Sequence, residues 1–266
     1  MKAIIAPIDF SEASINALSF AAELSKRASV RLIVLNTLQR DDDEMEAKSK
    51  LESVKSNLKD SFGPDLKCET LLAKGDLITV LNELIVAEKP DLIIMGTKGA
   101  SGIKRILIGS NAVNVISEIK IPVLVIPEMA LYKDFIKRGK NRIVLATDLE
   151  LLENERCVNI LKEMAMFMFE PKVRVLNVRP KHTKLPELKK IERSFLLSVF
   201  KPEIESKSVT LFGNNILEGI NYYLDKKTDC GLIAMIATES GSLFEKHYTR
   251  EMATHTNLPL LVLHDV

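Results

Sequence analysis

The stretch DLIIMGTKGASGIKRILIGSN, Asp91 to Asn111, decides how the first half of this sequence is interpreted. It opens with large aliphatic residues (92–95) that end at a glycine, a pattern typical of a short buried strand. A glycine-rich loop (96–102) follows, and a predicted helix starts near Asn111. Glycines let main-chain N–H groups approach an anion closely, and a helix start adds unpaired donors with a partial positive charge. The stretch therefore predicts an anion-binding loop between a strand and a helix.

The glycines alone fit a flexible turn equally well. No Gly-Lys-Ser/Thr sequence closes the loop, so it is not a Walker loop, and a dinucleotide fingerprint belongs at the first strand of a domain. Ser110 is placed either to cap the following helix or to offer its hydroxyl to a phosphate.

The first half alternates short aliphatic segments with amphipathic ones. The predicted strands are residues 2–7, 30–35, 68–73, 92–95 and 122–126. Ser11 is a good N-cap for a first helix that reaches about Arg27 and buries Ile15, Leu18 and Ala22, and Asp76 is a good cap for a later helix. Such alternation indicates an α/β fold with a parallel sheet and right-handed crossovers. In such a sheet, ligands bind at the carboxyl ends of the strands, where the strand order reverses.

These residues carry a family resemblance. The pattern Gly96-x2-Gly99-x9-Gly109-Ser110 resembles the ATP-binding motif of universal stress proteins. APIDFSE (6–12) and IPVLVIP (121–127) resemble the first and last strands of that family. The resemblance implies Rossmann-like domains of the adenine nucleotide alpha hydrolase type, each a five-stranded parallel sheet of order 3-2-1-4-5 with helices on both faces.

The resemblance also implies a role for each matching residue. Asp9 is expected to accept from a ribose hydroxyl or to hold a metal ion, although capping the first helix would explain it too. Pro7 is expected to shape the adenine wall, and the main chain of Thr37 to read the adenine edge. Gly96 is expected against the ribose. The expected phosphate-binding residues are Gly99, Gly109, Ser110 and Asn111, and the expected ligand is ATP or AMP, with or without Mg²⁺.

The second half is predicted to be a degenerate repeat of the first. AIIAPIDF (3–10) parallels RIVLATDL (142–149), which pairs Asp9 with Asp148. Segments 31–37, 92–99 and 121–128 parallel 173–179, 233–240 and 258–265. This predicts a binding domain at 1–128, a polar linker at 129–141 and a degenerate domain at 142–266. On an ungapped count, the counterparts of Gly96, Gly99, Gly109 and Ser110 are Ala237, Ser240, Arg250 and Glu251. We therefore expect nucleotide binding in the first half only.

Composition narrows the classes of function. The net charge of +1 gives no basic excess, which argues against a nucleic-acid partner. No apolar run approaches the length of a membrane helix, and three scattered cysteines without CxxC spacing fit a reducing cytoplasm, so a cytoplasmic location is expected. All four histidines lie in the second half, and no nucleophile–histidine arrangement is evident. We expect at most slow ATP hydrolysis.

Three functions compete: a nucleotide-binding regulatory protein of the stress response, an enzyme such as a weak ATPase or a nucleotide-dependent ligase, and a scaffold that binds no small molecule. Apolar last strands, at 123–126 and 260–263, invite pairing because an unpaired apolar edge promotes aggregation. The sequence therefore also predicts a pseudo-dimer of the two halves within one chain, and allows a further homodimer.

Overall fold

The computed structural model describes residues 1–39, 44–97, 110–132, 139–238 and 257–265. The chain divides into two compact units, Met1–Tyr132 and Lys133–Val266, and the division falls within the predicted linker. Each unit is an α/β domain built on a parallel sheet. Residues 98–109, which include most of the predicted glycine loop, lie outside the described residues, as do residues 239–256 of the second unit.

The described residues of the first unit form five strands and four helices. In chain order they are β1 (Ala3–Pro7), α1 (Glu12–Ala28), β2 (Arg31–Leu38), α2 (Glu44–Phe62), β3 (Cys68–Lys74), α3 (Leu77–Glu88), β4 (Leu92–Thr97), α4 (Ser110–Glu118) and β5 (Val123–Pro127). The strand order is β3-β2-β1-β4-β5, with every pairing parallel. The predicted alternation and the order 3-2-1-4-5 are confirmed.

In the part of the second unit that the structure describes there are five strands and three helices. They are β6 (Arg142–Ala146), α5 (Arg156–Ala165), β7 (Lys172–Arg179), α6 (Glu187–Phe200), β8 (Glu205–Phe212), α7 (Ile216–Lys226), β9 (Cys230–Thr238) and β10 (Leu260–Asp265). The strand order is β8-β7-β6-β9-β10, again with parallel pairings, so the fold of the first unit is repeated.

Helix boundaries follow from local capping. Ser11 is the N-cap of α1, where its side chain accepts from the N–H of Ser14, and Asp76 caps α3 in the same way through Thr79. Leu18 and Ala22 are buried as predicted, but the prediction for Ile15 is wrong, since that side chain is 37% exposed. In a helix with 3.6 residues per turn, Ile15 lies at the edge of the buried face.

The strand pairings correct the sequence alignment of the two units by one residue. Pro7 pairs with Leu35 in the first unit, and Ala146 pairs with Leu176 in the second, so Asn36 corresponds to Asn177.

The pairing of the last two strands changes the counterpart of Gly96. Gly96 pairs with Ile126 in the first unit, and Ile236 pairs with Leu263 in the second. Since 126 and 263 are equivalent in the sequence repeat, the counterpart of Gly96 is Ile236 and not Ala237. The pairings with the first strand of each unit give the same alignment, because Ile4 pairs with Leu92 and Ile143 pairs with Leu232.

Candidate functional site

The carboxyl ends of β1, β2 and β4 surround a cavity of about 510 Å³ in the first unit. This volume is within the usual range for small-molecule sites. Its lining includes the apolar residues Pro7, Leu35, Leu77, Ile78 and Met95. It also includes the polar residues Asp9, Asn36, Thr37, Gln39, Asp76, Asn111 and Asn114. A cavity lined by both kinds of residue suits a flat ring attached to a polar tail.

The cavity brings together most of the binding residues predicted from the sequence. Pro7, Asp9, Thr37, Gly96 and Asn111 all line it. The predicted phosphate ligands Gly99 and Gly109 lie outside the described residues, and so does the side chain of Ser110. The sequence analysis did not assign Asn36, Gln39, Met95 or Asn114 to the site, and it gave Asp76 only a capping role. Asn36 was detectable as the neighbour of Thr37, and Asp76 by its position two residues after β3.

The backbone of β2 supports a main-chain role for Thr37. The carbonyl of Leu35 accepts from the N–H of Ile8 at 2.8 Å, on the β1 side, whereas the carbonyl of Leu38 accepts from Gly75 on the β3 side at 2.9 Å. Successive residues of a strand direct their main-chain groups to alternate sides. The N–H and C=O of Thr37 therefore point to the β1 side, beyond the last paired residue of β1. They present one donor and one acceptor to the cavity.

Asp9 belongs to the capping structure of α1. One of its carboxylate oxygens accepts from the Ser11 N–H at 3.0 Å and from the Ser11 hydroxyl at 2.5 Å, while its own N–H donates to the Ser14 hydroxyl at 3.3 Å. The side chain is nevertheless exposed and lines the cavity. Both roles weighed for this residue, helix capping and ligand contact, are thus compatible with its position.

Close packing requires a glycine at position 96, which the sequence did not indicate. A Cβ atom at this position would lie 2.3 Å from the carbonyl oxygen of Ala13 and 2.6 Å from its carbon. The first turn of α1 therefore approaches β4 as closely as only glycine allows. This close approach sets the width of the cavity between α1 and the end of β4.

Helix α4 begins at the cavity. Its first-turn N–H groups have no partner within the helix, and no acidic residue lies in that turn to compete for them. Asn111, Ala112 and Asn114 of α4 line the cavity. Among the described lining residues the charged ones are the carboxylates Asp9 and Asp76. The Thr79 hydroxyl, which donates to Asp76 at 2.5 Å, lowers the pKa of that carboxyl.

The turn after β6 in the second unit begins in the same way as the turn after β1 in the first. Phe10 and Leu149, which follow Asp9 and Asp148, both adopt positive φ, at 63° and 62°. Asp148 accepts from the N–H two residues ahead, as Asp9 does. Asn36 and Asn177 each donate a side-chain N–H to the carbonyl of the residue before the aspartate, at 2.8 and 2.9 Å. The repeat is thus preserved to the level of individual hydrogen bonds.

The two units differ after that turn. Residues 147–155 separate β6 from α5, whereas only residues 8–11 separate β1 from α1. The Asp265 carboxylate, at the end of β10, accepts from the N–H groups of Glu153 at 3.0 Å and Asn154 at 2.7 Å. Because β9 lies between β6 and β10, the 147–155 loop crosses the carboxyl end of β9. β9 corresponds to β4, whose carboxyl end forms one side of the cavity in the first unit.

Side chains of α6 hold the 147–155 loop in place. Lys189 on α6 donates to the carbonyl of Asp148 at 3.0 Å and pairs with Glu150 at 2.6 Å. Glu192, only 4% exposed, accepts from the N–H of Leu152. Burial, together with the nearby Asp265 carboxylate, raises the pKa of Glu192. Ile236 fills the position of Gly96, and α5 contacts β10, whereas α1 packs mainly on β4.

Within the described residues no group of three or more His, Cys, Asp or Glu side chains is arranged to hold a metal ion. No helix in the described ranges is long and apolar enough to cross a membrane. The cysteines at 68, 157 and 230 are free and buried, and burial raises the pKa of their thiols to about 11, 12 and 11.

Comparison with known proteins assigns the first unit to a family. Residues 1–127 match the family model described as the universal stress protein family. The universal stress proteins MJ0577 and MJ0531 of Methanocaldococcus jannaschii are 36% identical over 81 residues and 41% identical over 61 residues. These matches cover 30% and 23% of this chain and span less than half of each relative, 48% and 36% of its length.

The fold of the whole chain also has a counterpart. The crystal structure of a universal stress protein from Archaeoglobus fulgidus aligns with 99% of this chain and with 98% of its own chain. The TM-score is 0.74 at 21% sequence identity. This likeness concerns the fold, and it extends over both units.

Proposed function

Because residues 1–127 belong to the universal stress protein family, we propose that this protein binds an adenine nucleotide in its first unit and acts as a regulator in the stress response. The observation that carries the proposal is the cavity at the ends of β1, β2 and β4, which is also lined by the first turn of α4. The base would lie against Pro7 and Met95, with its edge at the main chain of Thr37. The phosphates would lie toward the first turn of α4.

The nucleotide is ATP or AMP, and the charge of the cavity bears on the choice. The described lining supplies two carboxylates and no basic side chain. These carboxylates therefore repel free ATP more strongly than its Mg²⁺ complex, because the metal ion offsets part of the negative charge of the phosphates. Asp9 is the described residue best placed to contact such an ion. We expect ATP to bind more tightly with Mg²⁺ and AMP to depend on it less.

Binding is confined to the first unit. In the second unit Ile236 replaces Gly96, and the 147–155 loop, held by Asp265, covers the end of β9. A nucleotide there would have to displace the loop and break its hydrogen bonds to a buried carboxylate. We assign the second unit a structural or regulatory role, and its pairing with the first unit or with a second chain stays a prediction from the sequence.

Thermal unfolding with and without nucleotide tests the proposal. A ligand at one hundred times its Kd stabilises the state that binds it by about 2.7 kcal/mol. ATP, AMP and adenosine are compared in the presence and absence of Mg²⁺. A lack of any shift would favour the scaffold function, and multiple-turnover phosphate release would favour the ATPase.

The variant Asn111→Asp separates binding from folding. A carboxylate in the first turn of α4 interacts favourably with the helix dipole, so the unliganded protein should unfold at the same temperature or slightly higher. The same charge repels phosphate, so the Kd for ATP should rise at least about tenfold while adenosine is affected little. Asn215→Asp, the same substitution at the N-terminus of α7, is the matched control. Equal ATP affinity in Asn111→Asp and wild type would contradict the phosphate position.

A further inference from the structure

Helix α1 forms part of the cavity wall. Ser11, Ala13 and Ser14, from its N-cap and first turn, line the cavity. Hydrogen bonds join Ser14 to Ser11 and to Asp9, since the Ser14 hydroxyl donates to the carbonyl of Ser11 at 2.9 Å and accepts from the N–H of Asp9. A ligand that fills the cavity therefore packs on the first turn of α1 and restricts its motion.

The same helix holds the segment that follows β5. The side-chain N–H of Asn16 donates to the carbonyl of Ala130 at 2.9 Å. The ring of Tyr132 packs edge-on against Phe20 of α1 and Phe62 of α2, with ring centroids 5.9 Å apart in both pairs. The Tyr132 hydroxyl also bonds to the Glu23 carboxylate, and burial with this neighbour raises the pKa of Tyr132 to about 12.

We propose that α1 couples ligand occupancy of the cavity to the attachment of residues 130–132, where the chain leaves the first unit; this inference rests on the proposed nucleotide binding. Asn16 is two residues beyond Ser14, or about 3 Å along the helix axis. Ordering the first turn of α1 lowers the entropic cost of holding Asn16 against Ala130. By linkage, releasing residues 130–132 weakens ligand binding by the same factor.

Trypsin provides a readout for this attachment. The chain directly after Tyr132 carries Lys133, Lys137, Arg138 and Lys140. In the wild type, saturating ATP should slow cleavage at these positions by about fivefold or more, the lower range of typical coupling between sites. Asn16→Ala and Tyr132→Ala should be cleaved at the same rate with and without ATP, although ATP still raises their Tm. Tyr132→Phe keeps the ring contacts and should keep most of the ATP effect.

A matched control lies on the other side of the same segment. The Asn141 side chain donates to the carbonyl of Glu170 at 2.8 Å, the same type of bond as that of Asn16, and both of these residues belong to the second unit. Asn141→Ala should leave the ATP effect on cleavage intact.

Two results would overturn the coupling while leaving nucleotide binding in place. One is an ATP-induced Tm shift in the wild type without any change in the cleavage rate. The other is a full ATP effect on cleavage in Asn16→Ala. A wild type whose Tm does not respond to ATP would instead overturn the proposed function, and the coupling with it.

Discussion

At the scale of single residues, Gly96 shows how a packing constraint shapes a site. The atom that a larger residue would add lies 2.3 Å from the main chain of Ala13, which has no freedom to rotate away. Gly96→Ala should therefore force α1 off β4 and lower the free energy of unfolding by about 2 kcal/mol or more. Urea unfolding measures the loss, and the same displacement of α1 should weaken ATP binding.

Gly213→Ala is the control for this substitution. The nearest atom to a Cβ at that position is 3.9 Å away, so the change should alter stability by no more than about 0.5 kcal/mol. If Gly96→Ala were as stable as Gly213→Ala, the close approach of α1 to β4 would not be the reason for the glycine.

The same residue marks a limit of sequence interpretation. The glycine loop and the strand ends indicated where the candidate site lies, because strand, loop and helix follow one another along the chain. The contact between Gly96 and Ala13 depends on the spacing of α1 and β4, which no local pattern contains. Asn36 was missed for a related reason, since its bond to the carbonyl of Ile8 joins two strands.

At the scale of elements, the apolar strands and capped helices were predictable, since their signals are local. The strand order came from the family resemblance, because alternation alone does not fix which strands are neighbours. The covering of β9 in the second unit could not be predicted. It depends on a longer connection before α5 and on the Asp265 carboxylate at the end of a distant strand.

The buried carboxyl beneath the 147–155 loop leads to a prediction about pH. The folded-state pKa of Glu192 is raised above its ordinary value of 4.5, so its contribution to stability is present below pH 4.5 and is lost as the pH rises through the folded pKa. Glu192→Gln keeps an acceptor for the N–H of Leu152 without the charge. It should raise the free energy of unfolding at pH 7 by about 1 kcal/mol, and by less near pH 4.5.

Urea unfolding from pH 4.5 to 7.5 measures this difference. Glu187→Gln, on the exposed face of the same helix, should show no such pH-dependent gain. If Glu192→Gln instead lost the same amount of stability at both ends of the pH range, the buried charge of Glu192 would not be what destabilises the wild type.

At the scale of the whole molecule, the two units preserve the same sheet and the same turn after the first strand, yet they differ in what covers their carboxyl ends. We therefore predict one nucleotide per chain of 266 residues. Isothermal titration calorimetry with Mg²⁺–ATP should give a stoichiometry of one, and Gly109→Asp should abolish the heat of binding because its carboxylate repels phosphate. Asp265→Asn, which weakens the hold on the 147–155 loop in the second unit, should leave the stoichiometry and affinity unchanged. A stoichiometry of two, or binding that survives Gly109→Asp and is lost in Asp265→Asn, would place the nucleotide in the second unit, and the asymmetry between the two sites would then have been assigned the wrong way round.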